Sequence, residues 1–203
     1  MAGMGGTPVI ILRDTRRESG NEAISNNIMA ARAVANAVRS SMGPKGMDKL
    51  LVDSIGDVTI TNDGVTILKE MDVQHPAAKM LIEAAKTQDK EVGDGTTTVA
   101  VLAGELLRKA EVLLDQKVHP TMIVQGYRMA ADEAVKIAKS IAFEAQESDR
   151  VLLERIARTA MTGKLADSPD SKMAGYAVDL VLNATEDYGD KRVFDMDRVN
   201  VEK

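Results

Sequence analysis

The sequence predicts a mainly α-helical protein with small β elements, and three observations carry that prediction. Apolar residues recur at steps of three and four in several separate stretches, the spacing that lines one face of a helix. The hydrophobic 44% of the chain is almost wholly aliphatic and Met-rich, with twelve Met, three Tyr, two Phe and no Trp. Proline, glycine and short polar residues then punctuate the apolar stretches at helix starts and stops.

After a glycine-rich start, Pro8–Arg13 reads as a short strand. Ser19 and Glu22 have capping-box spacing ahead of a helix whose apolar face is Ile24, Ile28, Ala31, Ala35, Val38 and Met42. Gly43-Pro44 ends it. Lys49–Val52 and Val58–Thr61 read as strands, Asn62-Asp63-Gly64 breaks the pattern, and Val65–Met71 restarts as a short helix. Pro76 suits the first turn of a helix running to about Glu91. The next helix starts after Gly95 and runs to about Asp115. His119-Pro120 opens another, with Ile123, Tyr127, Ala130, Ala134, Ile137 and Ile141 on one face. The histidines at 75 and 119 both precede proline and read as caps rather than metal ligands.

Four apolar-striped helices between positions 22 and 145 predict one helical domain, with the polar stretch Glu144–Asp149 as its boundary. Ser148 or Asp149 caps a further helix to about Met161, and Ser168-Pro169 starts the last, to about Glu186. Val193–Val201 reads as a strand with nothing visible to pair it, which marks the sequence as part of a longer protein.

Composition excludes several functions. The net charge of −5 offers no basic stripe for a nucleic acid. No apolar run approaches the roughly 20 residues that span a bilayer, and the start lacks the pattern of a signal peptide. With no cysteine there is neither a disulfide framework nor a thiolate metal site. A cytoplasmic protein, with no nucleic acid and no membrane among its partners, is the expectation.

Four short motifs carry chemistry. In Gly93-Asp94-Gly95-Thr96-Thr97-Thr98, a glycine-flanked aspartate and three hydroxyls meet a helix start. Unpaired N–H groups and the helix dipole favour phosphate there. Asp94 would repel phosphate unless a divalent cation, Mg²⁺, sat between them. The same residues also suit a glycine C-cap followed by an aspartate N-cap. Gly43-Pro44-Lys45-Gly46-Met47-Asp48 is a glycine turn without the Gly-Lys-Ser/Thr of a P-loop. Thr61-Asn62-Asp63-Gly64 is a turn signature lacking EF-hand spacing, and Thr162-Gly163-Lys164 places a lysine past a helix end. Each alone has a structural explanation; together they list the parts of a metal–triphosphate site.

In this order and spacing, the first three motifs closely resemble those of the group II chaperonins, with the archaeal thermosome-like members nearest. The resemblance runs from about Pro8 to Lys203. It implies a chaperonin-type equatorial ATP-binding domain over 1–148, followed by the first part of an α/β intermediate hinge domain over 149–203. Gly43 and Pro44 would form the turn against the nucleotide. Asp94 would be the Mg²⁺ ligand, and Gly95, Thr96, Thr97 and Thr98 the phosphate cradle. Asp63 would lie near the γ-phosphate and its attacking water, with Gly163 and Lys164 sensing that phosphate from the intermediate domain. The implied function is ATP-dependent protein folding, with ATP/ADP and Mg²⁺ as ligands. Other subunits of a stacked double ring and unfolded proteins would be its partners. The family's water-polarising aspartate in the intermediate domain, much of its adenine wall and its apical surface are missing here, so this chain alone should bind nucleotide weakly. The rival reading is a non-catalytic oligomerisation scaffold whose glycine loops are only helix caps. A kinase is rejected for want of a kinase-type lysine strand or catalytic loop.

Overall fold

A computed structural model describes residues 18–164, 172–189, 191–195 and 198–200. The first helix, α1 (Gly20–Arg39), follows Ser19, whose extended backbone starts it without a side-chain cap. β1 (Lys49–Val52) and β2 (Val58–Thr61) pair as an antiparallel hairpin with Leu50 opposite Ile60 and Val52 opposite Val58. Asp53 closes its turn, the carboxylate accepting from the N–H groups of Ile55 at 3.0 Å and Asp57 at 2.8 Å. α2 (Gly64–Glu70), α3 (Pro76–Val92) and α4 (Thr96–Asp115) follow. Both proline-led helices take a histidine cap: Nδ1 of His75 accepts from the Ala77 N–H at 3.2 Å, and Nδ1 of His119 from the Thr121 N–H at 3.3 Å.

The core is the shared apolar face of α1, α2, α3 and α4. Val38, Ala85 and Ala100 are wholly buried, with Ile67 and Leu68 sealing one end. Small residues set how closely the helices approach. At the α1–α4 crossing a Cβ on Gly104 would collide with the Cβ of Ala35. Arg39 of α1 and Arg108 of α4 both bond the Glu105 carboxylate alongside that crossing.

The fourth apolar-striped helix packs only through its first turns. In α5 (Pro120–Ile141) only Ile123 is buried, while Ile137 and Ile141, on the same predicted face, are exposed. The Oη of Tyr127 donates to the Leu106 carbonyl at 2.7 Å, near the start of the helix, and the rest of the stripe meets no partner among the described residues. Periodicity identified the apolar face but not what covers it.

α6 (Arg150–Met161) starts at Asp149, whose carboxylate accepts from the Leu152 N–H at 3.0 Å, and it packs on α7 (Met173–Asn183). The expected strand Pro8–Arg13 lies outside the described residues, as do Ser168 and Pro169; the last helix starts not there but at Met173, with Lys172 as its N-cap. The last helix ends at Asn183, short of the expected Glu186, because Thr185 begins an antiparallel hairpin of β3 (Thr185–Tyr188) and β4 (Lys191–Phe194). Gly189, at φ 62°, follows β3. The expected strand from Val193 is therefore paired over Val193 and Phe194.

Gly104→Ala should lower stability by about 1–3 kcal/mol through overpacking. Gly126→Ala, with open space around the new methyl, should raise it by about 0.5–1 kcal/mol through helix propensity. Denaturant midpoints of the two variants would move in opposite directions.

Hydrogen bonding to Arg150 holds the Asp179 carboxyl below its ordinary range, at an Nη1–Oδ1 distance of 2.5 Å between α6 and α7. Arg108 first, and then Arg39, do the same for Glu105. Groups lowered in the folded state stabilise it above their unfolded pKa, and that contribution is lost as pH falls through the lowered value. Unfolding midpoints titrated into acid should therefore decline, and more shallowly in an Asp179→Asn, Glu105→Gln double variant.

Candidate functional site

Three turns and one helix end meet around a cavity of about 160 Å³. The first turn follows α1. Gly43 adopts φ 85°, Gly46 donates to the Gly43 carbonyl at 2.9 Å, and Met47 donates back to Ser40 at 2.8 Å. The reversal is pinned at both ends, with Ser41 and Met42 beside Gly43 on the cavity wall.

The second turn joins β2 to α2. Asp63 is the N-cap of α2, and its Oδ2 accepts from the Thr66 N–H at 3.1 Å and the Thr66 hydroxyl at 2.8 Å. Behind it the Asp63 N–H donates to Thr61 Oγ1 at 3.1 Å. The next residue must be small: a Cβ on Gly64 would overlap Thr97 Oγ1 and lie 3.0 Å from the Thr97 nitrogen. The absent side chain lets the start of α2 sit against the start of α4.

The third turn is Gly93-Asp94-Gly95. Gly93 ends α3 in the left-handed region, its N–H donating to the Asp89 carbonyl at 2.8 Å, and Gly95 starts α4 at φ 79°. Two reversals in three residues turn one helix into the next with Asp94 at the apex. The N-cap is thus Gly95 and not Asp94. It brings no side-chain cap, so the first turn of α4 offers its N–H groups beside the hydroxyls of Thr96, Thr97 and Thr98. Asp94 Oδ1 accepts from the Gly95 N–H at 2.7 Å, and Gln88 Nε2 steadies the Asp94 carbonyl at 3.0 Å.

The end of α6 closes the ring. Gly163 adopts φ 79°, and a Cβ there would come within 3.1 Å of the Gly43 carbonyl and 3.5 Å of Pro44. The Asn62 side chain donates to the Gly163 carbonyl. Lys164 Nζ lies 3.7 Å from Asp63 Oδ1.

Of the residues singled out from sequence, Gly43, Asp63, Asp94, Gly95, Thr96, Thr97, Thr98, Gly163 and Lys164 line this one cavity. Pro44 stands one residue off, against Gly163. Sequence reading missed Ser41, Met42, Thr159 and Ala160 on the wall, and Thr66 behind Asp63. The Asp63-to-Thr66 spacing, that of an N-cap and its third helical residue, was the signal available for the last.

Two carboxylates, one ammonium, the three hydroxyls of Thr96, Thr97 and Thr98 and a helix start suit an anion accompanied by a cation. Among the described residues no group of three His, Asp or Glu side chains could hold a metal alone. Asp94 with ligand oxygens and water fits Mg²⁺, which commonly takes one or two carboxylates plus phosphate.

Residues 34–203 match the model of the TCP-1/cpn60 chaperonin family. The whole chain is 58% identical to thermosome subunit alpha of Archaeoglobus fulgidus and 54% identical to thermosome subunit beta of Thermococcus sp. (strain KS-8). Over 98% of its length it is 53% identical to the thermosome subunit of Methanocaldococcus jannaschii. The chain spans 37% of the length of each of these relatives.

Gly64→Ala should force the starts of α2 and α4 apart and lower stability by about 1–3 kcal/mol. Asn62→Ala should leave the denaturant midpoint almost unchanged while speeding amide exchange at Lys164, reporting a loosened junction.

Proposed function

Because this chain belongs to the TCP-1/cpn60 chaperonin family, we propose that it carries the phosphate-handling wall of an ATP-dependent protein-folding chaperone subunit. One observation carries the reading: residues more than 100 positions apart, Asp63 and Lys164, meet beside Asp94 and the threonine-rich start of α4. A cavity near 160 Å³ suits phosphates and a metal better than a whole nucleotide, since pockets for complete ligands run to about 300–1,000 Å³. The base and sugar would then rest largely on parts of the protein beyond this chain.

The α4 N–H groups and the hydroxyls of Thr96, Thr97 and Thr98 hold phosphate oxygens without needing a cluster of cations. Gly43 and Pro44 form the turn along the nucleotide, and Asp94 is the carboxylate that holds Mg²⁺. When bound, Mg²⁺ neutralises phosphate charge against Asp94. Asp63 helps to position the attacking water, and Lys164 is drawn between the Asp63 carboxylate and the terminal phosphate. Hydrolysis by in-line attack needs this positioning and charge balance more than covalent help. Loss of the terminal phosphate leaves Asp63 as the partner of Lys164. Because Lys164 follows α6, that exchange biases how residues 149–203, read as the first part of an intermediate domain, sit on residues 1–148, read as equatorial.

The parent assembly is a stacked double ring in the cytoplasm that encloses unfolded protein. The exposed apolar side chains of the β1–β2 hairpin, Leu50, Val52, Val58 and Ile60, favour an assembling subunit over a solitary one. A purely structural scaffold is the second reading, because Asp63 also serves α2 as an N-cap.

Calorimetry of Mg-ATP on the complete gene product separates the two. On the ATPase reading Asp94→Ala abolishes metal-dependent binding, whereas a scaffold would show no such binding to lose. Asp63→Asn should retain binding while slowing turnover by about 10²–10⁴-fold. The 203-residue chain alone should bind more weakly than the complete product.

A further inference from the structure

We infer that Thr66 is a positioning residue, which fixes the plane of the Asp63 carboxylate so that its free oxygen is presented to the attacking water. The inference rests on the hydrolytic reading above and assigns a role to a residue outside the cavity wall.

A helix cap needs only one hydrogen bond from the Asp63 side chain, and the Thr66 backbone N–H supplies it at 3.1 Å. The Thr66 hydroxyl adds a second, at 2.8 Å, to the same oxygen, Oδ2. That bond is superfluous for capping but not for orientation. With two donors on one oxygen, Oδ2, the plane of the carboxylate is fixed and the group cannot swing freely about its Cβ–Cγ bond. Oδ1 is thereby kept on the side where Lys164 Nζ lies, 3.7 Å away. The backbone is held too, through the Asp63 N–H on Thr61 Oγ1 at 3.1 Å.

Thr66 is not needed to fill the core. The buried residues of α2 are Gly64, Val65, Ile67 and Leu68, and Thr66 is only half-buried between them. Its hydroxyl makes a contact whose consequence is the rotation of Asp63. A residue acting through another in this way changes the rate of the chemical step and leaves nucleotide affinity alone, because misplacement of a catalytic group by fractions of an ångström is felt mainly in the transition state.

The test is steady-state ATP hydrolysis by the complete gene product carrying Thr66→Val, Thr66→Ala, Thr66→Ser or Asp63→Asn. Valine keeps the shape and removes the hydroxyl, alanine removes both, and serine restores the hydroxyl. Thr66→Val and Thr66→Ala should lower kcat about tenfold with KM for ATP within about twofold, and Thr66→Ser should recover most of the rate. Should the valine variant fail to fold, the alanine–serine pair decides alone. The inference is overturned if the alanine variant turns over like the wild type, or if serine is as slow as alanine. Wild-type turnover in Asp63→Asn would instead remove the role of Asp63, and that of Thr66 with it. An inactive Asp63→Asn beside a fully active Thr66→Ala would sink the positioning role alone.

Discussion

The packing of α1, α2 and α4 depends on two contacts made between helices across a missing side chain. Ala35 meets Gly104 where α1 crosses α4, and Thr97 meets Gly64 where α4 begins beside α2. Neither is a strong interaction in itself. Each is a permission for backbones to approach, and dispersion between closely packed aliphatic neighbours then supplies the attraction. The consequence reaches the cavity directly. The helix start that offers N–H groups and the helix start capped by Asp63 are adjacent because residue 64 carries only a hydrogen.

The helices were legible because their signals are local. Pro76 and Pro120 mark helix starts, the histidines before them act as caps, and the spacing of Ile28, Ala31, Ala35 and Val38 points one face inward. The second hairpin was not legible. Thr185-Glu186-Asp187-Tyr188 has no alternation of apolar and polar residues, and it follows an aliphatic helix without a glycine stop. Its only mark is the turn at Gly189. The open face of α5 was unreadable for another reason: periodicity reports that a stripe is apolar, not whether anything covers it. The candidate site lay between these cases. Its loops could be read singly, but their meeting depends on a hairpin and on the path of α6, both tertiary facts.

The electrostatic character of the cavity also departs from what bulk charge suggests. The chain carries a net −5, and the cavity itself holds more carboxylates than ammonium groups. Affinity for an anion must come from oriented backbone and hydroxyl dipoles, which do not appear in a charge count. On the proposed function, such a site would need its cation as much as its anion, since phosphate alone would meet Asp94 with no cation between them.

The junction between Asn62-Asp63 and Gly163-Lys164 is a hydrogen bond and a half-exposed ion pair. Bonds of these kinds together contribute about 1–2 kcal/mol. That is small beside the packing that holds either helix in place. A joint so poised needs no large input to be reset. On the proposed function, a few hydrogen bonds gained or lost by Lys164 would be comparable to everything that holds the junction, so the response would be a shift in occupancy rather than the breaking of a rigid part.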